Sequence, residues 1–331
     1  MHEHKPIIRF AAIVGLALAC LVTGPVSAAG AVPRLAAARP AALAPVPASA
    51  MAPRGDTDPG DPLSGYDLGP DLSGLLMPYD AYGGEETEDG ATPERRNFKG
   101  YGFDTCRAPS LATMRAWLKS KYRAIGVYFG GRARACSQRN LNRDWVQSVH
   151  RMGWRIMPIY VGSQSPCVRG KHLRNYRIDP DNAWGQGESE GYDAVQSAAD
   201  LGFEPGSALY LDMEAYHAGK SRCADQTLDF IRAWDRQVSD NGYLPGLYSS
   251  SESGIRHIER ARQQGVDDLP EAVWFARWKG RPAVRSEPVL SDDAWNGGRI
   301  HQYSGAVREK HGGKRLSIDR NRLDGPVAVV N

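Results

Sequence analysis

From Phe98 onward the chain alternates short apolar runs, rich in β-branched and aromatic residues, with stretches whose apolar positions recur at helical spacing. That alternation limits the fold more than any other feature, because strand–helix repeats of this length assemble into parallel sheets. Strands are expected over Gly100–Cys106, Ala124–Phe129, Arg155–Val161, Ala208–Met213, Leu244–Tyr248 and Ala272–Ala276, with later ones over Arg299–Tyr303 and around Ile318. Leu111, Met114 and Leu118 follow Pro109-Ser110 at i, i+3, i+7, with Ser110 as the N-cap, and Asn142 opens a helix carrying Trp145 and Val149. Further helices are expected over Glu190–Leu201, Cys223–Asp240 and Gly254–Gln264. Six or more such units in 234 residues favour a closed α/β architecture, a TIM-like (β/α) barrel with room for irregular last units, over an open doubly wound sheet.

Barrels of this kind place their chemistry at the carboxyl ends of the strands. The polar residues there are Asp104, Tyr128, Tyr160, Asp212, Glu214, Tyr216, Tyr248, Trp278, Gln302, Tyr303 and Asp319. In Leu209-Tyr210-Leu211-Asp212-Met213-Glu214 a buried strand runs into two carboxylates at i and i+2, on the same side of an extended chain. Neighbouring carboxylates do not ionise independently, so one is pushed toward its protonated form. A proton donor beside a charged partner is what glycosidic bond cleavage requires. Tyr128, Tyr160, Tyr216, Tyr248, Trp278 and Tyr303 are rings that pack on a sugar face and hydrogen-bond at its edge. His301 faces away from Gln302 on a regular strand and is expected to be structural. No GxSxG elbow, phosphate-cradling loop or strand-GxGxxG-helix unit is present, so serine hydrolases, P-loop enzymes and dinucleotide folds lack support. No cofactor and no metal site are expected.

The first 97 residues read differently. His4, Lys5 and Arg9 precede an apolar run from Phe10 to Val22, and Val26-Ser27-Ala28-Ala29 supplies small residues for cleavage. Residues 1–29 are therefore expected to be a secretory signal peptide, with a lipoprotein anchor at Cys20 as the alternative. No stable membrane span is expected once the signal is removed. Residues 30–97 are Ala/Pro-rich and then acidic, with 11 Asp/Glu and no Lys/Arg over 55–94; this composition suits a disordered linker, or a pro-segment folding back on the basic domain. Residues 98–331 form the folded domain, carrying 34 Lys/Arg against 26 Asp/Glu. The whole-chain balance of +3 is too even for a dedicated nucleic-acid binder. Export changes how Cys106, Cys136, Cys167 and Cys223 read: in an oxidising compartment four cysteines imply two disulfides with three possible connectivities. Successive strands of a parallel barrel are neighbours, which favours Cys106–Cys136 and Cys167–Cys223.

Six short motifs stand in one order: Gly102-Phe103-Asp104, Leu211-Asp212-Met213-Glu214, Gly246-Leu247-Tyr248-Ser249, Trp274-Phe275-Ala276-Arg277-Trp278, His301-Gln302-Tyr303-Ser304-Gly305 and Ile318-Asp319. That order resembles the glycoside hydrolase family 25 muramidases. The opening Gly102-Phe103-Asp104-Thr105-Cys106-Arg107-Ala108-Pro109-Ser110 is more closely similar to secreted bacterial glycoside-hydrolase-like domains known mainly as a domain of unknown function. The resemblance covers about residues 99–325. It implies a TIM-like barrel with a carbohydrate-active site, in which Glu214 matches the general acid of a D-x-E motif, Asp212 its partner, and Asp104 and Asp319 the flanking acids. The four-cysteine spacing departs from the muramidase pattern. The expected function is hydrolysis of cell-wall glycan by a secreted or wall-associated monomer. The alternative is a glycan-binding module that uses the same cleft without turnover; a protease lacks a recognisable nucleophile or metal motif.

Overall fold

The computed structural model describes residues 95–331; the signal-peptide and linker expectations for residues 1–94 lie outside the described residues. Thirteen-residue strands at the C-terminal end and short strands before them build one closed ring. β1 (Asn97–Asp104), β2 (Tyr122–Gly130), β3 (Arg155–Tyr160), β4 (Ala208–Asp212), β5 (Leu244–Ser250), β6 (Ala272–Ala276), β7 (Arg299–His311) and β8 (Lys314–Pro326) are hydrogen-bonded in that order, and β8 returns to β1. The pairs from β1 to β7 are parallel; β8 runs antiparallel to both its neighbours. The irregular end of the TIM-like barrel is thus a β7–β8 hairpin in place of a final strand–helix unit. The expected short strand around Ile318 is the middle of this 13-residue strand.

The helices begin where local chemistry satisfies their first amides. The Ser110 side chain accepts from the Thr113 N–H ahead of α1 (Leu111–Trp117), and Asn142 accepts from the Trp145 N–H at 2.8 Å ahead of α2 (Arg143–Arg151). α3 (Ala183–Asp200) starts seven residues before the expected Glu190. Glycines in its first half hide it from propensity, and packing explains them. A Cβ on Gly187 would lie 2.4 Å from the Phe230 carbonyl oxygen, and one on Gly191 2.8 Å from the Gln237 Cβ, both on α4 (Ser221–Asp240). The two longest helices therefore approach backbone to backbone, at a cost in helix propensity of about 1 kcal/mol per glycine. α5 (Arg256–Gln263) follows a single π-turn, Ser251–Ile255.

Strand parity sorts the apolar residues into two layers. Met157, Ile159, Tyr210, Trp274, Ile300 and Leu323 fill the barrel interior. Phe103, Trp117, Trp154, Phe203, Phe230 and Trp234 pack between the barrel and its helices. The chain after β8 closes the lower mouth: the Val327 N–H bonds the Arg96 carbonyl, the Ala328 N–H bonds the Ile156 carbonyl, and the Glu204 N–H bonds the Val329 carbonyl. Disulfides join Cys106 to Cys136 and Cys167 to Cys223, with Cα separations of 5.8 and 6.1 Å. The first ties two loops at the upper, carboxyl end of the strands, and the second ties the loop after β3 to the first turn of α4. No helix among the described residues is long and apolar enough to cross a membrane.

Candidate active site

At the upper end the barrel interior turns from apolar to polar. Asp104, the last residue of β1, is buried. Its Oδ1 accepts from the Tyr128 hydroxyl at 3.2 Å, and its Oδ2 accepts from Gln302 Nε2 at 3.1 Å and Asn321 Nδ2 at 2.7 Å. The orientation of both amides is fixed by indoles, which only donate. Trp274 Nε1 donates to Asn321 Oδ1 at 2.8 Å, so the Asn321 amino group turns to Asp104. Trp278 Nε1 and the Tyr248 hydroxyl both donate to Gln302 Oε1 at 3.0 Å, with the same result. Gly126 leaves room for this arrangement, since a Cβ there would lie 2.6 Å from that of Asp104. Despite three donors, burial first and then the Asp319 charge raise the Asp104 carboxyl to about 7.

Asp212 ends β4 and is also buried, with Oδ1 lacking a hydrogen-bond partner among the described residues. Burial, then the Glu214 and Asp104 charges, hold it well above the ordinary carboxylate range. Glu214 lies two residues on, in the loop, and is half-buried. Gln164 fixes that turn from both sides: its Nε2 donates to the Asp212 carbonyl at 2.7 Å and its Oε1 accepts the Glu214 N–H at 2.9 Å. Burial raises the Glu214 carboxyl; the Ala215 N–H and His172 lower it, and Asp319 raises it. Asp319 stands opposite Asp104 in the β1–β8 register, accepts the Ala306 N–H at 2.5 Å, and is likewise raised by burial.

These acids line two adjoining lobes of one cleft. Asp212 and Glu214 face a lobe of about 340 Å³ with His172, Leu173 and Tyr176 on its far side. Asp104 and Asp319 face one of about 480 Å³ with Arg107 and Ser317. Tyr128 and the Cys106–Cys136 bridge border both. Trp278 leaves the rim 59% exposed, its indole N–H held by Gln302.

Three aromatics expected at the cleft are elsewhere. Tyr160 ends β3 with outward parity and is 2% exposed; its hydroxyl donates to Asp193 on α3 at 2.7 Å, and its ring packs near Phe129 and Trp234. Tyr216 is fully buried against Ser253 and His257. Tyr303 follows inward-facing Gln302 and so points outward, toward Tyr101, Glu309 and Arg320. His301 is structural, bonded to the Ala283 and Arg277 carbonyls and stacked on Phe275. Asn321, Gln164 and His172 are additions. Asn321 has the same parity as Asp319 and becomes visible once β8 is a full strand; Gln164 is a polar residue just past an apolar strand end.

A family model described as "Rv2525c-like, glycoside hydrolase-like domain" matches residues 115–323. The chain belongs to this family. The matched span runs from α1 to β8 and contains Tyr128, Asp212, Glu214, Gln302, Asp319 and Asn321 of the cleft; Asp104 precedes it. No curated protein matches this member of the glycoside hydrolase-like family. Among solved structures it is similar to an uncharacterized B. stearothermophilus protein, at 17% identity and a TM-score of 0.42, over 67% of this chain and 95% of that one. It is similar to a family 25 glycosyl hydrolase from Bacillus anthracis at 15% identity and a TM-score of 0.41, over 71% and 94%. It is also similar to the modular autolysin LytC from Streptococcus pneumoniae in complex with a synthetic peptidoglycan ligand, at 12% identity and a TM-score of 0.45, over 69% of this chain and 50% of that one.

Proposed function

We propose that this protein is a secreted glycoside hydrolase that cleaves bacterial cell-wall glycan with Glu214 as general acid. The observation that carries this reading is the gathering of four desolvated carboxyls, all displaced toward their protonated forms, at the carboxyl end of the barrel. An acid working near neutral pH needs that displacement. Both members of the Asp212–Glu214 pair line the lobe, and Glu214 is the more exposed of the two, so it protonates the glycosidic oxygen as the bond to the anomeric carbon breaks. Asp212 orients Glu214 or stabilises positive charge at that carbon. Asp104 or Asp319 positions substrate or the water that supplies the new hydroxyl. Trp278, Tyr128 and Tyr248 offer ring faces and hydroxyls to the sugar. The order of the motifs, the family match and the open two-lobed cleft support a polymeric glycan as substrate.

The test is turbidity clearance and reducing-sugar release from purified peptidoglycan, wild type beside Glu214→Gln. The variant is expected to keep its unfolding midpoint and lose at least about 100-fold in rate. Equal rates would remove Glu214 from the mechanism. Wild-type binding with no sugar release would make the cleft a glycan-binding site.

A further inference from the structure

A second face of the molecule carries a cluster of positive charge. Arg169, Arg174, Arg177, Lys220 and Arg260 are all exposed, and none pairs with a carboxylate among the described residues. They line two adjoining hollows of about 500 and 340 Å³ that share Arg169, His217 and Lys220. Glu252 is the one carboxylate lining either hollow, and Arg256 and Arg277 already hold it. Ordinary protein surfaces intersperse the two signs, so an unpaired cluster of this size maintains a persistent positive potential. The positive end of the α4 dipole, with no acid in its first turn, adds to it.

We propose that this face binds a phosphodiester-linked polyanion. Guanidinium groups match phosphate oxygens bidentately and are weakly hydrated, and a phosphodiester chain presents such an anion at every repeat. Two joined, open hollows suit a chain of repeating anions better than a single small one. The face is also fixed relative to the cleft. The Arg169 N–H bonds the Ala215 carbonyl at 2.9 Å, immediately after Glu214, and Cys167–Cys223 ties the Arg169 loop to the first turn of α4. A polymer seated here would hold the cleft rim against the matrix that contains it. This binding does not depend on turnover in the cleft, so it stands or falls apart from the hydrolase reading.

The experiment measures binding of the full chain to synthetic poly(glycerol phosphate) across a salt series. The comparison pits the Arg169→Gln/Arg174→Gln/Lys220→Gln variant against a remote control of equal charge change, Lys119→Gln/Lys314→Gln/Arg315→Gln. Wild type should bind with an affinity that falls steadily with salt. The face variant should bind at least about tenfold more weakly, with a salt slope smaller by about 2, while the control and both unfolding midpoints stay unchanged. Equal losses in the two variants would reduce the effect to net charge, and absence of wild-type binding would also overturn the proposal. Binding that emerges only when the 11 Asp/Glu of residues 55–94 are replaced by amides would assign the face to the chain's own acidic stretch instead.

Discussion

Asp104 shows how one side chain is set by its surroundings. Two amides donate to its Oδ2, so the proton of its neutral form resides on Oδ1, where the Tyr128 hydroxyl turns from donor to acceptor. Its carboxyl titrates at about 7 in the folded protein against 3.8 ordinarily. Between those values the folded state binds the extra proton, so stability declines as pH rises from about 4 to about 7. Asp104→Asn keeps the shape and the hydrogen bonds of the neutral acid. Chemical denaturation at several pH values should show that decline flattened in the variant and its stability at pH 7 increased; an unchanged pH profile would mean Asp104 is charged throughout. Glu214 shifts in the same direction. In the proposed reaction its acid form is the working one, so glycan hydrolysis should also fall as pH rises through its raised titration, which a pH–rate profile would register. The four acids are legible in a sequence because charge beside an apolar run is conspicuous. The facing of Tyr160 is not, because inward and outward exchange with every residue at a strand end. Asn321 and Gln164 are hidden for another reason: neutral amides look alike whether they solvate a loop or orient a carboxylate.

Elements hold the cleft by different means on its two sides. On one side Gln164 clips the turn from Asp212 to Glu214, an amide spanning two backbone groups. Gln164→Ala leaves both groups without their partner, a cost of about 1–3 kcal/mol for buried polar groups. It should lower kcat more than it raises KM, since the acid loses its aim before the cleft loses its walls. On the other side Cys106–Cys136 borders both lobes and closes a 30-residue loop, worth about 4 kcal/mol in the chain-entropy view. Cys106→Ser/Cys136→Ser should speed amide exchange in the β1–α1 and β2–α2 loops well before barrel strands become labile. Simultaneous loss of protection throughout would show that the bridge supports the whole barrel. Most elements were foreseeable from periodicity and caps, since Ser110 and Asn142 announce their helices. The start of α3 was not, because Gly187 and Gly191 oppose helix locally and make sense only against α4.

At the scale of the whole molecule, β8 is decisive: it runs antiparallel to both strands it joins, and the residues after it close the lower mouth. Val327, Ala328 and Val330 are buried there. Removing residues 327–331 should lower the unfolding midpoint sharply and admit a hydrophobic dye to the barrel interior; a truncated chain with native stability would show the closure is ornamental. The strand–helix alternation made the barrel legible, whereas the hairpin was not, because polar residues such as Arg308, Lys310 and Arg315 on its exposed face interrupt any apolar run. The antiparallel seam also sets an order of events. Asp104 belongs to the first strand, yet its two amide donors, Gln302 and Asn321, sit 198 and 217 residues further along. Such distant pairings are reached late and slowly. Until the ring shuts, Asp104 is hydrated and simply an anion. The protonated Asp104 is therefore a property of the closed ring alone, absent from every shorter length of the emerging chain.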